Sequence, residues 1–478
     1  MKGIFCMSTT RKEKRLQRNV RYMMDIRRVK LLNVLMIVLP YAIAWFAFYR
    51  SRVCGSTSIV RSIGMMAMYT ALYCLFTRIY GAFHISIKRI SEIFGSQILS
   101  VTMANGFILG IMFVICGRIP NVLPLLGVQV AQVLISLIWA KKTHMWFFNR
   151  FERQKTVIIY DRRRYMENLF SSYGLDKKYD ICAICTVEEF FSGNMKVIED
   201  VDAVFLGGVH SHERNIIIKY CVANGIDTYM IPRIGDVIMS SAQKMHMFHL
   251  PSLRVRRYTP TIEFLLIKRL FDIVSSLAVI IVFSPVLLAT AIAIKKYDGG
   301  PSIYKQVRLT KDGKEFEIYK FRSMRIDAEK DGVARLSSGE NDDRITPIGH
   351  IIRKYRLDEL PQLFNILRGD MSVVGPRPER PEIAQQYEQE LPEFALRLQA
   401  KAGLTGYAQV YGKYNTDPYD KLQMDLMYIA NPSVWEDMKI ILATIYVLFV
   451  KESTEGVQAN QVTAMSHQEE DDDENQSA

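Results

Sequence analysis

Two adjacent acids, Asp358 and Glu359, stand in a stretch that is otherwise basic and apolar, RKYRLDELPQLFNILRGDMSVVGPRP from Arg353 to Pro378. A carboxylate can attack phosphorus to give an acyl phosphate, which divides one difficult transfer into two easier ones. A neighbouring carboxylate can hold a divalent cation, because Mg2+ takes one or two protein carboxylates and fills its shell with substrate phosphates and water. Toward the end of the stretch, Pro376-Arg377-Pro378 is a rigid turn presenting a guanidinium, a group suited to bidentate binding of phosphate. Upstream, Tyr319-Lys320-Phe321-Arg322-Ser323-Met324 supplies two further cations. Acids able to attack or to bind metal, beside fixed cations, point to chemistry on a phosphate. An Asp-Glu pair on its own is more often a solvated helix face, so the weight of this one comes from its surroundings.

The elements that must position these residues begin with a membrane anchor. The 478 residues are enough for two or three folded units. Hydrophobic residues make up 49% of the chain and the mean hydropathy is +0.04, which fits a membrane protein with water-facing parts better than a fully soluble enzyme. A formal net charge of +12 fits an anionic partner, and the apolar runs favour a phospholipid surface over nucleic acid. Residues 1–30 form a basic N-terminus. The apolar run over 31–49 that follows is too long for a signal-peptide core and has no small-residue cleavage site after it. Further runs near 62–80, 97–116 and 123–140 are each close to the ~20 residues that span a bilayer, so the pattern predicts four transmembrane helices within 31–140. The basic N-terminus and the cluster Lys141, Lys142, Arg150 and Arg153 both face the cytoplasm by the positive-inside rule, as an even number of crossings allows. Arg50, Arg52 and Arg61 in the first outer loop run against this. No ionisable residue sits mid-span, so anchoring is favoured over transport.

Residues 154–256 alternate strand-like and helix-like segments: 155–160, 180–186, 201–207 and 227–231 as strands, 216–224 as a helix. That order predicts a parallel, Rossmann-like α/β domain. A dinucleotide site needs a Gly-rich turn after the first strand, and here Tyr160 is followed by Asp161-Arg162-Arg163-Arg164. The domain is therefore expected to hold no nucleotide. Seven cysteines make no disulfide scaffold, and Cys182-x-x-Cys185 has no second pair at zinc spacing; two small residues in a buried strand are the expectation. His210-x-His212 lacks a third ligand and is expected to be a loop.

After an Arg- and Pro-rich linker over 251–260, residues 270–294 form a long apolar run with Ser284-Pro285 in its middle. Proline removes a helix hydrogen bond and clashes with the preceding turn, so a kink is expected there. Basic flanks on both sides (Lys268, Arg269; Lys295, Lys296) suit a re-entrant helix with both ends at one anionic surface, against the alternative of a fifth kinked span. A hairpin is expected over 302–322 around Asp312-Gly313. A polar loop follows over 327–343, then amphipathic helices over 348–355 and 360–367. Each helix suits either the membrane interface or ordinary packing. Six consecutive acids from Glu469 to Glu474 mark a disordered tail over 456–478.

From Lys268 to Lys451 the chain closely resembles the bacterial sugar transferase family, the monotopic polyprenyl-phosphate phosphoglycosyl transferases. The residues that carry the resemblance are Lys268-Arg-Leu-Phe-Asp272, Ser284-Pro285, Ile318-Tyr-Lys-Phe-Arg-Ser-Met324, Leu357-Asp-Glu-Leu-Pro-Gln-Leu-Phe-Asn365, Gly369-Asp-Met-Ser-Val-Val-Gly-Pro-Arg-Pro378 and Gly403-Leu-Thr-Gly-Tyr-Ala-Gln-Val410. Four spans, a degenerate Rossmann-like domain and this C-terminal unit are similar to the large subgroup that starts exopolysaccharide, capsule or O-antigen repeat units. The resemblance implies an α+β catalytic domain over 265–455 with a re-entrant helix broken at Ser284 and Pro285, held at the cytoplasmic face of the bacterial inner membrane. It implies Asp358 as nucleophile and Glu359 as the Mg2+ ligand. Asp358 attacks the β-phosphate of a UDP-sugar, UMP leaves, and undecaprenyl phosphate then takes the sugar phosphate. Arg377 matches a phosphate-binding arginine, Arg353 and Asp425 match positions near the site, and Lys320 and Arg322 are suited to steering phosphates or lipid head groups. Lys413 stands where the family often has arginine, which keeps the charge and loses the bidentate geometry. A hexose such as glucose or galactose is the expected sugar, and a homodimer through the middle domain is open.

Two readings from other classes compete. In a scaffold for polysaccharide assembly the catalytic unit would be inactive, and intact Asp358, Glu359 and Arg377 argue against that. A nucleotide-sugar oxidoreductase using residues 154–256 is disfavoured by the missing Gly-rich turn.

Overall fold

Four apolar runs open the chain, and each folds as a helix because lipid leaves the backbone no partner but itself. The computed structural model describes residues 9–53, 59–161, 175–192, 197–326, 328, 344–412 and 417–447, with the backbone alone of 9–19 and 52–53. The chain divides into two units, Met1–Ile231 and Pro232–Ala478.

In the first unit, α1 (Thr9–Ala44) runs on through a π-helical turn (Trp45–Tyr49), and α2 (Ile59–Ile79), α3 (Ile90–Cys116) and α4 (Leu123–Arg150) follow. All four are long and apolar enough to cross a membrane, in line with the sequence. Leu35, Leu39, Ile43, Val60 and Leu134 are exposed, while the polar side chains buried among the helices are uncharged, among the described residues. Gln132 Nε2 donates to the Ile37 carbonyl (2.8 Å) and to the Tyr69 hydroxyl (2.7 Å), and Asn105 Nδ2 donates to Gln132 Oε1 (2.9 Å). The Tyr73 hydroxyl donates to Asn33 Oδ1 (2.6 Å). These bonds join all four helices in a setting where lipid gives little hydrophobic drive for association.

The same unit holds a parallel sheet. Strands β1 (Gln154–Tyr160), β2 (Tyr179–Thr186), β3 (Ala203–Gly207) and β4 (Asp227–Met230) lie in the order β2-β1-β3-β4, with α5 (Val187–Ser192) and α6 (Ser211–Asn224) between them in sequence. Val157, Ile159, Val204 and Leu206 pack with Phe190, Ile217 and Cys221 on one face, and Ile158 and Ala203 with Tyr179 on the other. Cys185 is buried as expected, but Cys182 is exposed, where a register shift in the β1–β2 pairing leaves it opposite no β1 residue. His210 Nδ1 lies 2.6 Å from Asp161 Oδ2, while His212 sits in the first turn of α6. No group of three His, Cys, Asp or Glu that could hold a metal occurs among the described residues. Residues 162–164, which follow Asp161 in sequence, lie outside the described residues.

The second unit starts earlier than the sequence suggests. Ile234 and Val237 of α7 (Ile234–Ser240) pack in one core with Leu422, Leu426 and Ile440, so residues from Pro232 onward belong here and not to an α/β domain reaching 256. Part of the expected linker is strand: β5 (Gln243–Met247) pairs antiparallel with β6 (Leu250–Arg254). Pro251 and the basic residues masked the strand pattern, since proline is tolerated only at edges.

Helix α8 (Ile262–Asp298) is a single helix of 37 residues, roughly 55 Å at the standard rise, and continues without interruption through Ser284-Pro285. Pro285 has no N–H for the Ile281 carbonyl. The Ser284 hydroxyl supplies that missing donor at 2.8 Å, so helical hydrogen bonding carries on through the position where a kink is expected. Beyond it, β7 (Ile303–Leu309) and β8 (Glu315–Phe321) form the expected hairpin, with Asp312 (φ 60°) and Gly313 (φ 72°) both left-handed at its turn. The remaining elements are α9 (Pro347–Lys354), α10 (Gln362–Arg368), β9 (Ser372–Val374), α11 (Pro381–Glu390), β10 (Gly403–Thr405), α12 (Tyr407–Tyr411), α13 (Pro418–Ala430) and α14 (Val434–Val447). Of the two amphipathic helices, α9 leaves Ile351 exposed, whereas α10 buries Leu363 and Ile366 in the core and exposes Phe364. Strands β9 and β10 run parallel into a close approach: a Cβ on Gly403 would fall 2.1 Å from the Gly375 nitrogen. The glycines there let the Pro376-Arg377-Pro378 turn lie directly on the β10 backbone.

Candidate active site

The dyad rides on a short turn between two helices. Helix α9 ends at Lys354 with Tyr355 as its cap, Arg356 takes the left-handed conformation (φ 56°), and a 3-10 turn over Leu357–Glu359 leads toward α10. Leu357 packs beside Ile352, Phe321 and Ile294, and Leu360 packs with Leu363 and Ile366. With these leucines fixed in apolar clusters on either side, the turn holds the two acids between them in a partly buried position. A left-handed arginine is an uncommon backbone state, tolerated where the surroundings fix it.

The two acids sit in different environments. Glu359 Oε1 accepts from Arg377 Nη2 at 3.0 Å and lies 3.5 Å from Lys320 Nζ, with the Glu359 side chain only 15% exposed. Burial pushes its carboxyl up, but Arg377, Lys320 and Arg356 outweigh that and hold it well below the usual carboxylate range. Asp358 is the reverse case. Its Oδ1 is buried with no hydrogen-bond partner. Burial and then the charge of Glu359 push its carboxyl up, and Lys320, Arg353 and Arg356 only partly offset this. Glu359 is thus a locked anion, and Asp358 a bare oxygen of raised basicity, the condition that favours attack on an electrophile.

Arg377 is held from behind. Arg397 Nη2 donates to the Arg377 carbonyl (2.9 Å), and the same guanidinium grips Asp425 Oδ2 through Nε (2.8 Å) and Nη2 (2.6 Å). Asp425 is 1% exposed, so it lies inside the protein as the counter-charge of Arg397 and away from any open surface. Arg322 also has a different post from the one expected. It pairs with Asp298 at the end of α8, and its backbone N–H donates to the Ser302 carbonyl (2.9 Å). A Cβ on Gly300 would fall 2.8 Å from Arg322 Nη1, so the guanidinium lies over the Gly299-Gly300 turn. Arg353 acts on Asp358 through its charge, with Nη1 buried and without a hydrogen-bond partner. The structure therefore gathers Asp358, Glu359, Arg377, Lys320 and Arg353, and assigns Arg322 and Asp425 to supporting ion pairs. Lys413 lies outside the described residues. Sequence reasoning missed Arg356 and Arg397. The first shows only in its left-handed backbone, and the second is a lone arginine in the apolar run Phe394-Ala-Leu-Arg-Leu398.

The oxygen donors fit a magnesium ion of the kind completed by substrate. Asp358 and Glu359 provide two hard carboxylates, one with an unpartnered oxygen, and both cations on Glu359 sit on Oε1, which leaves Oε2 for a metal.

Fold and site together define a membrane-associated protein with a partly buried acidic dyad. The profile described as bacterial sugar transferase matches residues 263–451, from the first turn of α8 past the end of α14. Similar proteins include a UDP-N-acetylgalactosamine-undecaprenyl-phosphate N-acetylgalactosaminephosphotransferase of Aeromonas hydrophila, 38% identical over 228 residues, or 47% of this chain and 53% of that protein. A UDP-glucose:undecaprenyl-phosphate glucose-1-phosphate transferase of Caulobacter vibrioides is 42% identical over 183 residues, 37% of this chain and 68% of that protein. An undecaprenyl-phosphate galactose phosphotransferase of Salmonella typhimurium is 39% identical over 191 residues, 37% of this chain and 39% of that protein. The match thus spans about half the length of the Aeromonas protein and less of the Salmonella one. The chain belongs to the bacterial sugar transferase family.

Proposed function

We propose that this chain transfers a sugar 1-phosphate from a UDP-sugar to undecaprenyl phosphate, releasing UMP, as the first membrane step of a polysaccharide. The observation that carries the reading is the split dyad: Asp358 Oδ1 bare and basic, Glu359 locked by Arg377 and Lys320. The names of the relatives support the same substrates. Asp358 Oδ1 attacks the β-phosphorus; the bond to the bridging oxygen breaks and UMP departs with that oxygen's electron pair. Arg377 and Lys320 hold phosphate oxygens while charge shifts to the leaving group. The phosphate of the lipid then attacks the sugar phosphate, forming the diphosphate and returning the Asp358 carboxylate. Magnesium, held by Glu359, supplies charge neutralisation on the phosphates when bound.

A re-entrant α8, bent at Pro285 while its hydrogen bonding continues, would keep both of its ends at the cytoplasmic face of the inner membrane, where nucleotide sugars are found. The basic pairs at both ends, Lys268-Arg269 and Lys295-Lys296, support this reading over a crossing. We favour a hexose, glucose or galactose, as the sugar, and a homodimer through the α/β domain belongs to the same reading, to be checked by mass photometry. Exchange of labelled UMP into a panel of UDP-sugars, with Mg2+ and no lipid, tests the mechanism and names the sugar. Exchange that disappears in Asp358→Asn supports it. UMP release that requires the lipid for every sugar contradicts it.

A further inference from the structure

The charged residues at the start of α8 do more than flank a membrane segment. Arg269 donates through Nη1 to the Ile366 carbonyl (2.6 Å) and through Nη2 to the Leu367 carbonyl (2.7 Å). These are last-turn carbonyls of α10; the Ile366 carbonyl also accepts from the Gly369 N–H (3.1 Å), and a cation there complements the helix dipole. Helix α10 is the continuation of the dyad turn. Asp272 Oδ1 accepts from the Val373 N–H (2.9 Å) and from the Ser372 hydroxyl (3.1 Å), and Lys268 Nζ donates to the Val374 carbonyl (3.0 Å). Those atoms belong to β9, which runs straight into Gly375-Pro376-Arg377. Lys268 is anchored in turn by Asp437 Oδ2 (2.6 Å) and the Tyr428 hydroxyl (3.1 Å). The grip is dry: Asp272 is 4% exposed, and the side chains of Lys268 and Asp437 are 14% and 6% exposed.

We propose that Lys268, Arg269 and Asp272 are positioning residues, a clamp by which one face of the membrane helix sets the spacing between the dyad and Arg377. Positions 268 and 272 are one turn apart and 269 adjoins them, so one rigid rod holds both segments that build the site. The 3.0 Å contact between Arg377 and Glu359 closes the loop between them. Side chains of one element, α8, thus bond both the dyad's helix, through Arg269, and the β9 strand, through Lys268 and Asp272. The clamp rests on the proposed function only for its activity readout; its geometry stands apart from the chemistry.

The test uses full-length protein in nanodiscs, with Arg269→Gln, Arg269→Lys and Asp272→Asn, normalised to the folded fraction. The clamp predicts that in Arg269→Gln kcat and kcat/KM for UMP release fall together by about 10- to 100-fold, the scale of a misplaced catalytic group. Arg269→Lys recovers part of the loss. It also predicts faster hydrogen–deuterium exchange in 356–362 and 372–377 in both Arg269→Gln and Asp272→Asn. A lowered melting temperature with kcat per folded molecule unchanged assigns the three residues to stability alone and overturns the clamp. If the parent protein releases no UMP from any UDP-sugar, the function reading fails and exchange decides the clamp by itself. Faster exchange in both segments then supports it, and faster exchange confined to the segment touched by the altered residue overturns it.

Discussion

The helical bundle and the C-terminal unit both bury polar groups, and among the described residues the second buries charges as well. In the helical bundle the interior polar groups are amides and hydroxyls: Asn33, Gln97, Asn105, Gln132, Ser136 and the tyrosines around them. The C-terminal unit buries uncharged groups too, such as Gln362, Asn365 and Ser372, and adds charges: Asp272, Arg322, Arg397, Asp425 and Asp437, each with an opposite charge or a backbone group as partner. Uncharged groups can be hydrogen-bonded inside a membrane at modest cost, whereas a buried charge stripped of its partner is severely destabilising. The comparison teaches where the molecule commits its electrostatics. The bundle's interior polar groups are uncharged, while the unit that holds the dyad also buries paired charges.

The sharpest way to break that contrast is at the bare carboxylate. Asp358→Asn keeps shape and removes the attacking oxygen, so UMP exchange should fall by about 10⁴-fold or more, the scale of removing a nucleophile. Retained exchange in a labelled-UMP assay would assign attack to another group. Next comes the support of Arg377. Arg397→Met leaves Asp425 buried without its partner, a change that costs about 3–5 kcal/mol. A large fall in melting temperature should accompany reduced turnover, measured by thermal unfolding and UMP release on the same preparation.

A smaller effect falls on pH dependence. Burial, with the charge of Glu359, holds Asp358 above the ordinary aspartate range, and Lys320 pulls it back. The attacking form is the ionised one, so the rate rises with pH through that raised value. Lys320→Met removes the cation, pushes Asp358 higher still, and moves the acid limb of the pH–rate profile to higher pH. The opposite holds for stability at Glu359, whose carboxyl is depressed: its contribution is present above the unfolded carboxylate pKa and is lost as pH falls toward the folded value. The smallest effect belongs to the bundle. Gln132→Leu removes its bonds to Ile37, Tyr69 and Asn105. A loss of roughly 0.6–1.7 kcal/mol per coupling is expected, with UMP release per folded molecule unchanged.

Much of this was legible in the residues themselves. Strands β1 to β4, the Asp312-Gly313 hairpin, the four apolar helices and the convergence of Asp358, Glu359, Lys320 and Arg377 all follow local patterns of period, turn chemistry and motif. What was not legible depends on distant partners. The apolar segment Ile234-Gly-Asp-Val-Ile238 looks the same whether it closes the α/β domain or opens the next unit; only its packing against Leu422 and Leu426 decides. Pro285 signals a break, but the neighbouring Ser284 hydroxyl returns the lost hydrogen bond within one turn. Asp425 and Arg322 look like site residues because of their motifs, yet each charge is already spent on Arg397 or Asp298. Arg356 gave no signal, since a left-handed arginine cannot be told from a helical one by its letter.

The central claim is that Asp358 carries the sugar phosphate between donor and lipid. The direct measurement is mass spectrometry of protein quenched after incubation with Mg2+ and the responding UDP-sugar, without undecaprenyl phosphate. The account predicts a gain of one sugar phosphate on the peptide containing Asp358, absent in Asp358→Asn and discharged on adding the lipid. Unmodified protein that nevertheless releases UMP once the lipid is present would contradict it and require direct transfer between the two substrates.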